Sequence, residues 1–286
     1  MKHFKEHQKG TLAIFIAALL WSTGGIFIKL ISFGALPLSS LRSFFSAATF
    51  FVIFKGKVFK YNKFAVMNAL FYAAILVLFV AATKITTAAN AIFLQYSASI
   101  YVLIFEPIIN KTKYELLNVI VIIICFVGMG LFFVGQLAPG HFLGNILALL
   151  SGLAFAAFLL GMRKNKPEYQ ASTIFLGNTL IFLICSPFIF TIVNPSIKDF
   201  AMVGYLGIIQ IGVAYAFFSF GLKKVLAIEA AIISMIEPVL NPVWVAIGYG
   251  EIPTIYSIIG GVIIISAVTI RTIIVEKSKI ILPPKK

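Results

Sequence analysis

The sequence predicts an all-α integral membrane protein, a single membrane domain of ten transmembrane helices arranged as two inverted five-helix repeats. Three observations carry this reading: the apolar composition, ten apolar runs of spanning length, and a one-sided placement of lysine and arginine. Of 286 residues, 61% are hydrophobic and 11% charged, with a mean hydropathy of +1.06. A soluble domain carries about 25% charged residues, so this chain is built for a bilayer.

The runs come in order, each bounded by charge, Pro or Gly. The first, 11–31, comes after the basic stretch MKHFKEHQKG. It is too long for a signal-peptide core and no small-residue cleavage site separates it from the second run, so it reads as a retained helix. The second, 37–54, stops at Lys55; the third, 63–83, stops at Lys84; the fourth, 86–106, stops at Glu106-Pro107. The fifth covers 114–135. In the sixth, 142–162, Gly144, Ala148, Gly152 and Ala156 recur every four residues, a thin ridge that lets a neighbouring helix approach closely. The seventh, 171–192, precedes Asn194-Pro195. The eighth, 200–221, holds Gly204, Gly207 and Gly212, which serve the same packing purpose. The ninth, 227–249, contains Glu237, Pro238 and Pro242, and the tenth, 253–275, starts at Pro253. Nothing between the runs is long enough for a soluble domain.

Threading the chain through ten spans puts 19 lysines and arginines on the side of the N-terminus and 4 on the other. This bias places both termini in the cytoplasm and the protein in the cytoplasmic membrane. It also accounts for the net charge of +14 without nucleic acid as a partner, since the cations cluster between apolar runs. Cys125 and Cys185 both fall within runs and imply packing, not a disulfide framework.

Two halves are visible. Gly10–Trp21 aligns with Gly144–Phe155, which places Lys29 on Arg163, and Lys84–Ile92 aligns with Lys224–Ile232. The repeats are expected at 10–136 and 141–276. Five spans per copy is odd, so the second copy enters the membrane from the opposite side, as in many secondary transporters with a midplane binding site.

Depth then selects the candidate site residues. Trp21 lies mid-span, although membrane tryptophans favour the interfaces; it either stacks on a substrate or packs between helices. Gln95, Tyr96, Ser97, Ser99 and Tyr101 form a polar cluster in the fourth span. Gln95 and Ser99, four residues apart, are expected to share a cavity face. Tyr215, Ser219, Ser234 and Asn241 complete the list, with interhelical hydrogen bonds as their alternative role.

Glu237 stands near the middle of the ninth run, where an ionised carboxylate costs about 2.5–3.5 kcal/mol or more. It is therefore neutral, paired or facing water. Either it binds a substrate amine or a proton, or its acid group serves backbone left unpaired by the helix-breaking Pro238 and Pro242. Those prolines release the carbonyls four residues earlier, Ser234 and Pro238. Lys29, Lys84, Arg163, Lys223 and Lys224 sit at run ends and are expected to snorkel. Arg42 is expected to reach the outer interface, with guarding the outer mouth or contacting a carboxylate as its alternative role, and Glu106, Glu229 and Glu251 are expected in solvent. His3, His7 and His141 lie outside the runs without metal-ligand spacing, so neither a metal nor a cofactor is expected.

Several stretches resemble the EamA branch of the drug/metabolite transporter superfamily. They are Ala17-Ala-Leu-Leu-Trp-Ser-Thr23, Leu41-Arg42, Ala214-Tyr-Ala-Phe-Phe-Ser-Phe-Gly-Leu-Lys-Lys224, Glu237-Pro-Val239 and Gly250-Glu251. The resemblance implies alternating access around a central cavity without ATP hydrolysis, and export of amino acids or other small metabolites. Such proteins often carry a proline in the fourth span too. Here Ala98 stands opposite Pro238, so the two halves are expected to bend unequally.

The functional expectation is a secondary transporter of a small-molecule substrate, an amino acid or related metabolite, with the lipid bilayer as its surroundings. Protons are the candidate coupling ion, and a monomer or weak dimer is the expected state. The alternatives are a broad exporter of amphipathic or cationic compounds and a lipid-linked-sugar flippase. An enzyme is not expected: there is no His-Glu-x-x-His, no mid-membrane aspartate pair and no histidine at membrane depth.

Overall fold

The computed structural model describes residues 2–86, 88–111, 113, 115–131, 142–249 and 255–281. Their regular structure is helical throughout. The first half holds α1 (Lys2–Ser22), α2 (Gly24–Leu30), α3 (Ala35–Phe54), α4 (Lys63–Ile85), α5 (Ala88–Gln95), α6 (Ala98–Asn110) and α7 (Leu116–Leu131). The second holds α8 (Phe142–Lys164), α9 (Gln170–Cys185), α10 (Ile197–Tyr205), α11 (Ala214–Leu222), α12 (Ala227–Ser234), α13 (Ile236–Tyr249) and α14 (Ile255–Ile281). Between α10 and α11 the stretch Leu206–Val213 is π-helical.

Among the described residues, 8 helical stretches are long and apolar enough to cross a membrane, from Lys5–Leu30 to Ile258–Val275. The fifth expected span is the shorter apolar helix Leu116–Leu131, and the ninth is divided into α12 and α13. Apolar side chains such as Val52, Leu70, Ile123, Leu153 and Val262 are exposed, as a surface solvated by lipid requires. His141, Gly250 and Glu251 lie outside the described residues.

Helix ends meet as alternating spans require. On the face of the N-terminus, Glu6 pairs with Lys224, His7 with Glu229 at 3.0 Å, and Asn62 with Asn165 at 2.9 Å. On the opposite face, Lys29 donates to the Thr86 carbonyl at 2.7 Å and Lys84 to the Ile31 carbonyl at 2.6 Å. There too Ser32 donates its N–H and hydroxyl to Asp199 at 3.1 and 3.0 Å. Lys29, which stays exposed, and Lys84, which is half-buried, thus also hold carbonyls at helix ends.

Two acidic groups depart from expectation. Glu106 and Glu229 are buried, not solvated. Glu106 accepts the N–H groups of Ala227 and Ile228 at 2.9 and 2.7 Å, the orphan donors of the first turn of α12. Glu229 faces Arg271 at 3.5 Å as well as His7. Helix termini brought together inside a bundle need acceptors that water does not reach, and these carboxylates provide them.

Duplication shows in the details. Lys29, at the end of the first span, holds the carbonyl of Thr86 before the fourth; Arg163, at the end of the sixth, holds that of Leu222 before the ninth at 3.3 Å. The fourth and ninth spans are both interrupted, at Tyr96–Ser97 and at Met235. The fourth span thus breaks without a proline, whereas the first span breaks at Thr23 and its counterpart, α8, runs unbroken. In the fourth span the cause is tertiary. Gly152 of α8 presses so close that a Cβ there would stand 2.7 Å from the Gln95 carbonyl oxygen and the Ser97 hydroxyl. The chain turns at this point through three-residue bonds, Ser97 N–H to Leu94 at 3.2 Å and Ser99 N–H to Tyr96 at 3.0 Å.

Of the two expected helix-breakers, only Pro238 coincides with an interruption. It occupies the first turn of α13, four residues after Ser234, and having no N–H it leaves the Ser234 carbonyl without a helical donor. The helix runs on across Pro242 to Tyr249.

Candidate functional site

Three broken spans converge at mid-depth, and their breaks release carbonyls that side chains of other spans then take. The first span breaks at Thr23. Gln210 donates to the Trp21 carbonyl at 3.2 Å and Asn241 to the Ser22 carbonyl at 3.1 Å. Both reach in because Gly24 and Gly25 leave room: a Cβ at either would fall 2.6 Å from Gln210 or 2.5 Å from Asn241. Trp244 adds a bond from its ring N–H to the Ser22 hydroxyl at 2.7 Å.

At the ninth-span break, the Tyr96 hydroxyl lies 2.5 Å from the Ser234 carbonyl and 2.8 Å from the Glu237 carboxylate. Pro238 stands four residues after Ser234 and offers it no N–H, so Tyr96 supplies the missing donor. Tyrosine has a single hydroxyl hydrogen for these two acceptors. The released Ser234 carbonyl is therefore served by Tyr96, and the Glu237 carboxylate contacts Tyr96.

Within these breaks lies a cavity of about 40 Å³, lined by Trp21, Arg42, Gln95, Gln210, Tyr215 and Glu237, with Ile75, Leu76, Phe79, Phe155 and Ile211 as its apolar wall. A water molecule needs about 10–15 Å³ of such space, so the cavity holds a few waters and no metabolite. Side chains narrow it toward both faces. Toward the N-terminal face the narrowing is aromatic: Trp21 packs on Tyr215 at 4.7 Å, Phe218 at 4.9 Å and Phe155 at 6.3 Å between ring centres. Tyr72 continues the block at 4.8 Å from Tyr215. Toward the other face, the Ser32–Asp199 and lysine ties described above hold the helix ends together.

The polar groups of this cavity are incompletely satisfied. Arg42, 1% exposed, donates one N–H to the Leu76 carbonyl at 3.0 Å. Its Nε, the Trp21 ring N–H and the Gln210 carbonyl oxygen are buried without a hydrogen-bond partner among the described residues. Three such atoms, two donors and one acceptor, belong to side chains that line this one cavity. No ion pair joins Arg42 to Glu237 among the described residues, although both line the cavity.

The candidates named from sequence are distributed unevenly. Trp21, Gln95, Tyr215 and Glu237 line the cavity, and Tyr96 stands behind Glu237. Ser99 is buried but does not line it. The i, i+4 argument that joined Ser99 to Gln95 fails because the helix is interrupted between them, and helical phase does not carry across the turn at Tyr96–Ser97. Gln95 instead donates to Ser151 at 2.7 Å, which donates to the Ile75 carbonyl at 3.0 Å. Asn241 braces the first-span break.

Gln210 joins the site unexpectedly, and Arg42, placed by the sequence at the outer interface, turns inward to it. Arg42 is about 10 Å below the start of α3 at 1.5 Å per residue and does not reach the outer interface. Gln210 is the one polar side chain between Tyr205 and Tyr215, a signal present in the sequence. It sits in the π-helical stretch, a feature frequent at functional sites.

Comparison with known proteins agrees with this architecture. The sequence profile of the EamA-like transporter family matches residues 8–134 and again 142–273. An uncharacterized transporter of Archaeoglobus fulgidus is 26% identical over 281 residues, 94% of this chain and 98% of that one. A solved crystal structure superposes with a TM-score of 0.80 at 17% identity, covering 94% of this chain and 98% of its own; at that identity the likeness concerns the fold alone. With the family profile matched twice along nearly the whole chain, the protein belongs to the EamA-like transporter family.

Proposed function

We propose that this protein is a secondary carrier that exports small zwitterionic metabolites, amino acids foremost, by alternating access at the central cavity. The observation that carries the reading is the set of opposite charges and unpaired polar atoms on the side chains lining this one cavity. The Arg42 Nε–H and Trp21 ring N–H are donors suited to a carboxylate. The Glu237 carboxyl and Gln210 carbonyl oxygen are acceptors suited to an ammonium group. Gln95 and Tyr215 shape the walls, while Tyr96, Ser99 and Asn241 act behind them.

Hydrogen counting supports a role for protons. With one hydrogen on Tyr96 and two acceptors in reach, the arrangement is satisfied when Glu237 carries a proton. It then donates to Tyr96, and Tyr96 donates to Ser234. An arriving ammonium group takes the place of that proton, which makes the exchange an antiport. The first repeat, 10–136, contributes the broken first and fourth spans and the second, 141–276, the broken ninth. The excess of Lys and Arg on the N-terminal side supports cytoplasmic termini in the cytoplasmic membrane, and export follows the resemblance noted in the sequence. No catalytic role is assigned.

Purified protein in liposomes is expected to exchange radiolabelled amino acids. Arg42→Gln should lower uptake of an amino acid more than uptake of the matching decarboxylated amine, and Glu237→Gln should lower uptake of an amino acid more than uptake of the matching carboxylate that lacks the amine. Two variants of unchanged selectivity, or inertness toward a broad metabolite panel, would overturn the assignment. An imposed pH gradient should change accumulation in the wild type and not in Glu237→Gln; indifference in both would remove the proton from the cycle.

A further inference from the structure

A second, larger space lies outside the central cavity. It is an apolar groove of about 610 Å³ on the half of the molecule nearest the N-terminus. Leu12 and Ile16 of α1 form one wall, Ile53 and Phe54 of α3 the other, and Val213 to Phe220 the floor, with Lys9 and Lys223 at the rim. Its size falls within the roughly 300–1,000 Å³ of ligand pockets.

Packing explains why the groove is there. In its first part the eighth span lies hard against α3. A Cβ at Gly207 would stand 2.5 Å from the Arg42 carbonyl oxygen, and one at Gly212 would stand 2.8 Å from Thr49. Beyond Val213 the span follows α1 instead, with Gly221 against Ile14 at 2.7 Å and Gly10 against Lys224 at 2.7 Å by the same measure. The helix parts from α3 in order to stay with α1, and a wedge opens toward the N-terminal face. From Val213 to Lys223 the wedge runs about 15 Å at 1.5 Å per residue, half of a hydrocarbon core about 30 Å thick. It is as deep as one leaflet, and it is open sideways: Leu12 is 58%, Ile53 46% and Phe220 45% exposed.

The rim is cationic. Lys224 is engaged by Glu6 and by the Phe220 ring at 4.2 Å, and Lys9 also pairs with Glu6 at 2.8 Å. Lys223 makes no ion pair among the described residues, and Lys57 is near enough to repel it. An apolar slot one leaflet deep, capped by lysines in surplus over carboxylates, matches a lipid with a negative head. The Trp21–Tyr215–Phe218 rings separate the groove from the central cavity, so its occupant is not the transported solute.

We propose that this groove is a lipid site, in which an acyl chain of an anionic phospholipid lies between α1 and α3 while its phosphate rests on Lys223 and Lys9. The proposal stands independently of which solute the carrier moves.

The test uses the full-length protein in nanodiscs of equal parts phosphatidylglycerol and phosphatidylcholine, extracted and weighed by native mass spectrometry. Wild type is expected to retain phosphatidylglycerol in several-fold excess. The double variant Lys9→Gln/Lys223→Gln should bring the two lipids to parity, and Ala216→Phe, which fills the groove, should lower retention of both. Leu12→Trp fills it from the other wall and replaces Ala216→Phe if that variant elutes as aggregate. Parity in the wild type, an excess that survives loss of both lysines, or retention untouched by both groove-filling variants would overturn the proposal. So would displacement of the lipid by millimolar inorganic phosphate, which would reduce the rim to a free-anion site.

Discussion

Tyr96→Phe removes one oxygen atom and leaves the ring. In the wild type that oxygen stands 2.5 Å from the Ser234 carbonyl and 2.8 Å from Glu237, at a residue 1% exposed. Its loss leaves a buried carbonyl with neither the α-helical N–H, which Pro238 lacks, nor the tyrosine donor. A buried acceptor left unpaired costs about 1–3 kcal/mol, and that is the expected destabilisation, measured by unfolding in mixed micelles of graded denaturing detergent. A second substitution isolates the cause. Pro238→Ala returns an N–H four residues beyond Ser234, giving the orphaned carbonyl a new partner. Tyr96→Phe should then cost at least about 1 kcal/mol less in the Pro238→Ala background than alone. Independent sites add within about 0.3–0.5 kcal/mol. Additivity within that limit would show that Tyr96 and Pro238 do not act on the same carbonyl, and the account of the ninth-span break would fall.

Other expectations rest on contacts already described. Gly152→Ala places a methyl group 2.7 Å from the Gln95 carbonyl oxygen and the Ser97 hydroxyl and should destabilise by about 1–3 kcal/mol; unfolding at the wild-type midpoint would argue that the fourth span turns for another reason. Gly204→Ala meets nothing within 4 Å, so a helix-propensity gain of up to about 1 kcal/mol is expected in the same assay. A loss there would contradict the open space. Asp199→Ala removes the acceptor of Ser32 and the capping box with Ser196, at a cost of about 1 kcal/mol. With Cys125 and Cys185 replaced, a cysteine at Ile211 should then be labelled faster by an impermeant thiol reagent applied from the face of Asp199; an unchanged rate would mean that this tie does not hold the face shut.

The sequence conveys the spans well because hydropathy and charge act over twenty residues at a time, and no tertiary contact is needed to read them. Glu237 and Trp21 are legible for a related reason: each is a costly choice at its depth. Arg42 is not, since a charge near a run end looks the same whether it climbs to the interface or turns inward, and the Leu76 carbonyl that holds it belongs to another span. The break at Tyr96–Ser97 is hidden more deeply. Its cause is the bare Cα of Gly152, fifty-odd residues away in the chain, and a sequence without the fold gives no sign of which backbone that glycine will meet. Pro242 misleads in the opposite direction, as helix α13 absorbs it.

The carbonyls released where the spans break have a consequence for how the chain is made. Trp21 and Ser22 are translated early, yet the side chains that satisfy their carbonyls, Gln210 and Asn241, come almost two hundred residues later or more. Tyr96 likewise waits for Ser234. The first five spans therefore leave the ribosome with carbonyls released at Trp21 and Ser22 whose partners among the described residues all lie in the second half. An N-terminal half expressed by itself should be a target for membrane quality control, and supplying the C-terminal half as a separate polypeptide should extend its lifetime in the cell.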